Sequence, residues 1–197
     1  MGVAELEMEV KNGFRGLGLG HGDARNPNWE AQKWALGRLR VLREHYRRLV
    51  IERDPIDLRF FTCPYFRSIA SEAEIMGYHV IREPEDGVKE NYDKVRIYLG
   101  VKGLMDPEEF RPDEEVLERA KIDCYIAALR RSRNIARCAF QEEGSIIVAG
   151  SWHVIHAQDR EAHSAGVDFN AEYNPDVSGS MRLDANSFWN QHNQKLD

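Results

Sequence analysis

From Trp29 to about residue 49, the apolar positions Trp34, Leu36, Leu39, Leu42, Tyr46 and Leu49 recur at helical spacing. Arg38, Arg40, Arg43, Arg47 and Arg48 cover much of the remaining surface. A stripe repeating every three to four residues predicts an amphipathic helix. Asn28 stands ready to cap its first free N–H groups. Upstream, residues 14–19 read as a strand thinned by its own glycines, and residues 57–62 (DLRFFT) as a second strand ending at Pro64. Residues 68–76 predict a short helix, with Gly77 as its stop signal. Residues 78–82 (YHVIR) predict the next strand, 83–91 a polar loop, and 94–101 (KVRIYLGV) another strand. Pro107 and Pro112 mark a linker, Asp113 caps a helix running to Phe140, and SIIVAG within 144–155 begins as a buried strand.

Strands separated by helices in this rhythm predict an α/β, Rossmann-like three-layer fold around a mainly parallel sheet. Right-handed crossovers would gather the carboxyl ends of the strands along one edge. That edge would carry residues 21–26, 63–66, 83–87, 101–105 and 150–156. From about Ser164 polar residues dominate, and apolar ones thin to Val167, Phe169, Tyr173, Met181, Leu183, Phe188 and Trp189. The organisation expected is an N-terminal segment (1–12), one domain (13–163) and a polar tail (164–197), without internal repeats.

Composition narrows the classes. A hydrophobic fraction of 42% and a charged fraction of 30% suit a globular protein with some polar, loosely packed length. A net charge of -6 argues against a general nucleic-acid binder, because phosphate contacts are carried by Lys and Arg. Cys63, Cys124 and Cys138 form neither a disulfide framework nor a CxxC zinc pattern, which points to a reducing, cytoplasmic or nuclear setting. The start MGVAELEMEV lacks the apolar run of a signal peptide, and Leu6 stands where a myristoylation signal has Ser or Thr. No apolar stretch approaches the ~20 residues of a membrane span.

The candidate chemistry begins at GLGLGHG, where Gly16, Gly18, Gly20 and Gly22 alternate just before the first helix. Gly-rich strand-to-helix turns let backbone N–H groups approach a phosphate at a helix N-terminus. The stretch fails GxGxxG, because His21 takes the last glycine's place, and it lacks the Lys-Ser/Thr of a P-loop. It does match the GxGxG of methyltransferases. The predicted second strand ends in Thr62-Cys63-Pro64, with no acid for ribose hydroxyls. Two readings stay open: a tight turn for helix–sheet packing, or a ligand cradle built from Gly16, Gly18, Gly20, His21, Gly22, Asn26, Cys63 and Tyr65.

GLGLG (16–20), EAQKWAL (30–36, with Gln32), CPYF (63–66) and EIMGYHVIREPEDG (74–87) follow one another in an order and spacing similar to the sensitivity-to-red-light-reduced (SRR-like) domain family. The resemblance covers roughly residues 14–101. Cys63 stands where that family has an aspartate before the proline. What the resemblance implies is a regulatory role, with links to circadian and light signalling, cytoskeletal phenotypes and haem metabolism, and no defined reaction.

Three further clusters deserve weight. His153, His156, Asp159 and His163 fall near one helical face after the last predicted strand, the donor types of a zinc or iron site. Arg130–Arg133 (RRSR) with Arg137 forms a basic stripe that reads as a solvated helix face or a contact for a phosphate or acidic partner. Cys63 could be a thiol activated by a helix N-terminus, with His21 or His79 as its base, or a half-buried structural cysteine. The expected function is therefore a regulatory SRR-like domain that binds a small ligand or a protein partner at its glycine-loop edge. The alternatives are a nucleotide-cofactor enzyme, such as an S-adenosylmethionine-dependent methyltransferase, and a metal-binding protein. Cofactor identity and oligomeric state are not encoded in any motif found here.

Overall fold

A computed structural model describes residues 13–20, 28–54, 65–101 and 113–177 of the chain. Five strands form its centre: β1 (Phe14–Leu19), β2 (Arg48–Ile51), β3 (His79–Arg82), β4 (Ser145–Gly150) and β5 (Phe169–Tyr173). They lie in the order β3-β2-β4-β1-β5, with every neighbouring pair parallel. Parallel neighbours need crossovers. These contain α1 (Trp29–Leu42), α2 (Tyr65–Ile75), α3 (Glu85–Val101), α4 (Glu114–Phe140) and α5 (Ser151–His156). The last continues through a π-helical stretch (Ala157–Ala162) into α6 (His163–Ala165), which Gly166 ends at φ 65°. The α/β three-layer architecture is the one the sequence predicts. Its order differs from the Rossmann 3-2-1-4-5 in that β4 lies between β2 and β1.

Two apolar layers sandwich the sheet. On one face Leu17, Leu19, Leu49, Ile51, Ile146 and Val148 pack beneath α1 and α2. On the other, Val50, Ile147 and Ala149 pack beneath Ile135, Ala136 and Ala139 of α4 and Val154 of α5. β4 contributes to both layers and is buried throughout, which is why SIIVAG lacks alternation.

The caps form where expected. The Asn28 side chain accepts the Ala31 N–H at 3.1 Å, and that of Asp113 the Glu115 N–H at 3.1 Å. Gly77 ends α2 at φ 87°, a conformation that favours glycine. Gly37, inside α1, has nothing within 4 Å of where a Cβ would stand. Gly37→Ala should therefore stabilise the protein by about 0.5–1 kcal/mol, read as a higher urea midpoint.

Four elements differ from the sequence reading. The first helix stops at Leu42, and Arg48–Ile51 is a strand. Arg48 looked like a helix-surface residue but is buried, donating to Ala139 O (3.1 Å) and Cys138 O (2.8 Å) at the end of α4 and to Ser145 Oγ (2.9 Å) at the start of β4. Residues 83–91 and 94–101 form one helix, α3, rather than a loop and a strand. Within it Val88, Asn91, Tyr92 and Val95 share a face at helical spacing, a period hidden by the β-branched composition of KVRIYLGV. Finally, the sheet continues past residue 163: β5 pairs with β1, and Phe169 and Asn174 are buried. The predicted strand at 57–62 lies outside the described residues.

Helices α3 and α4 pack antiparallel, with Arg131 to Asn91 (3.4 Å), Arg130 to Glu90 (2.9 Å) and Lys94 to Asp123 (3.1 Å) in turn. A helix of 27 residues is about 40 Å long. Six-residue strands reach only about 20 Å. The N-terminal half of α4 therefore overhangs the carboxyl edge of the sheet as an arm.

Candidate functional site at the carboxyl edge

All strand carboxyl ends share one edge. At adjacent β1 and β4 the following helices, α1 and α5, lie on opposite faces, the arrangement that opens a ligand crevice in such sheets. The glycines of β1 end here. A Cβ on Gly16 would stand 2.6 Å from Phe169 Cζ and 2.7 Å from Val154 Cγ1. One on Gly18 would meet the Tyr173 ring (2.7 Å to Cε1) and lie 3.3 Å from Ser151 Cα. These two glycines let α5 and the aromatic rings of β5 lie directly on β1. Gly20 has only ordinary contacts around it, but its N–H donates to Asn174 Oδ1 at 2.6 Å. Asn174 N–H returns to Gly18 O at 3.1 Å, and Asp176 accepts from Asn28 at 2.8 Å. The corner between β1 and α1 is thus held by the turn after β5. Of the two readings of the glycines, this geometry supports packing for Gly16 and Gly18.

The second strand now ends in Glu52-Arg53-Asp54, so an acid does follow it. Glu52 is buried and turned inward. Its Oε2 accepts the Gly150 N–H at 2.6 Å, where α5 begins, and its Oε1 lies 3.1 Å from Arg131 Nη2 and 3.6 Å from His153 Nε2. Arg131 also donates to both oxygens of Glu83, at 2.6 and 2.8 Å, and to Arg53 O at 2.9 Å. Far from being a solvated stripe, RRSR sends Arg131 into a buried cluster that ties α4 to the ends of β2 and β3. Ser132 Oγ lies 2.6 Å from His153 Nδ1 and donates to Ala128 O at 2.9 Å. Ser132, His153 and Glu52 have the composition of a hydrolytic triad, but all three are buried, the serine hydroxyl is committed to Ala128 O, and His153 Nε2 stands 3.6 Å from Glu52, beyond hydrogen-bond distance. The sequence signal for this cluster is the charged triplet after the apolar run LVI, hidden by a helical pattern that extends to Leu49.

Asp54 accepts the N–H groups of Phe66 (2.9 Å) and Arg67 (2.7 Å) at the start of α2. Burial raises its pKa in spite of those two bonds. The cavity beside it, between Glu52, Phe66 and Arg82, measures about 30 Å³, room for a water molecule. Tyr65 opens α2 with a buried ring. Its hydroxyl donates to Asn28 O (2.9 Å) and its carbonyl accepts from Gln32 Nε2 (3.1 Å). Two of the motifs behind the family resemblance, around Gln32 and Tyr65, therefore meet. Trp29, 6.0 Å from the Tyr65 ring, is 47% exposed at this corner. His21, Gly22, Asn26 and Cys63 lie outside the described residues.

The His/Asp set does not assemble. His153 faces Ser132 and Glu52, His156 Nε2 lies 3.7 Å from Glu161, and His163 is exposed. Among the described residues no group of three or more His, Cys, Asp or Glu side chains is arranged to hold a metal ion. The expected common face assumes α-helical spacing, whereas residues Ala157–Ala162 form a π-helical stretch that rotates Asp159 and His163 away from it.

Burial, reinforced by His153, Arg133 and Arg160, lowers the pKa of His156 to about 3 from 6.5. The unfolded chain then takes up this proton first as pH falls, so stability is full above about pH 6.5 and is lost progressively toward pH 3. Between pH 6.5 and 5 this group should remove about 2 kcal/mol, seen by urea unfolding. In His156→Gln the fall should be shallower by that amount; an unchanged pH profile would refute the assignment.

No helix among the described residues is long and apolar enough to cross a membrane. No protein-family model, curated protein or solved structure matches this chain.

Proposed function

We propose that this chain is a regulatory domain of the SRR-like kind that receives a small ligand or a protein partner at the carboxyl edge, beside the starts of α1 and α2, without turning over a nucleotide cofactor. The observation that carries this reading is that, among the described residues, N–H groups at this edge that could receive an anion are taken by the chain's own side chains. Asn174 takes the Gly20 N–H, Glu52 takes the Gly150 N–H where α5 begins, and Asp54 takes two N–H groups at the start of α2. A phosphate arriving there would have to displace a carboxylate or an amide. Trp29, exposed beside Tyr65, supplies an apolar surface for a ligand instead. The resemblance over residues 14–101 supports the regulatory class. Cys124 and Cys138, both free thiols, suit a cytoplasmic or nuclear setting.

The rival reading, a methyltransferase-like enzyme, is favoured by one observation: an acid, Glu52, stands at the end of β2. Thermal unfolding of the pure protein with S-adenosylmethionine, NAD, ATP, haem or zinc separates the two. A ligand at 100 times its Kd stabilises by about 2.7 kcal/mol, a rise of several degrees. The expected result is no shift with the nucleotides or S-adenosylmethionine. A saturable shift with either, absent in Glu52→Gln, would establish the cofactor reading. For the regulatory reading, equilibrium dialysis against a cell extract should retain a component that Trp29→Ala retains less.

A further inference from the structure

We draw no further inference here: the strongest candidate, the turn after β5 that closes Asn174 and Asp176 over the corner between β1 and α1, belongs to the carboxyl-edge site already described, and hydrogen bonds within that corner point to no ligand.

Discussion

Arg131→Met should lower the free energy of unfolding by about 3–5 kcal/mol, the range for leaving buried charges without their partner. Glu83 is fully buried and Glu52 is 4% exposed, and Arg131 is the cation both carboxylates share. Burial opposes charging of the guanidinium, yet Glu52 and Glu83 outweigh it and raise its pKa. Tyr92 adds its ring face 5.4 Å from the guanidinium carbon. Taking away the cation strands two negative charges close together in a buried site. The diagnostic measurement is a double-mutant cycle by urea unfolding. Arg131→Met with Glu83→Gln should cost much less than the sum of the single losses, because the second change removes a charge that the first left stranded. If Arg131→Met alone cost under about 1 kcal/mol, water would be reaching the cluster, and the arm would not be pinned to the sheet as described.

That cluster also explains what could and could not be read in the sequence. The strand at 14–19, the Asn28 and Asp113 caps, the long helix to Phe140 and the buried run SIIVAG were legible because each depends on local signals: period, cap chemistry and apolar density. Most of the misreadings concern elements whose identity is set by distant partners. Arg48–Ile51 is a strand because β3 and β4 flank it, although its sequence continues a helical pattern. KVRIYLGV continues the helix begun at Glu85, whose Asn91, Tyr92 and Lys94 meet Arg131 and Asp123 of α4. Phe169–Tyr173 is a five-residue edge strand in which Phe169, Ala171 and Tyr173 alternate with Asn170 and Glu172, a period-2 signal present in the sequence but obscured by the polar stretch around it. The candidate site suffered in the same way. Losing β2 moved the expected acid from Glu52 to an absence at Cys63, and treating RRSR as a surface stripe hid Arg131. Residue types were visible; which of them would face inward was a tertiary matter.

The glycines offer the sharpest separation between packing and ligand binding. Gly18→Ala should destabilise the protein by about 1–3 kcal/mol with no ligand present, since overfilling a packed site forces its neighbours to move. The new methyl would collide with the Tyr173 ring, its register partner on β5, and crowd the backbone of Ser151. Gly16→Ala should cost at least as much, because Phe169 and Val154 are both buried and have less room to retreat. Tyr173→Ala alone should cost something through loss of the ring covering β1. Combined with Gly18→Ala, however, it should recover part of the glycine's loss, giving a coupling of about 1 kcal/mol or more. The residual loss reports on Ser151, whose Cα cannot withdraw without moving α5. A ligand cradle behaves otherwise: there Gly18→Ala would leave the free protein's stability intact and abolish only a ligand's stabilisation. Loss of a thermal shift in a Gly18 variant is therefore interpretable only beside its stability without ligand. If Gly18→Ala proves neutral in that state, the crevice over β1 has room for a ligand and the nucleotide reading regains its footing.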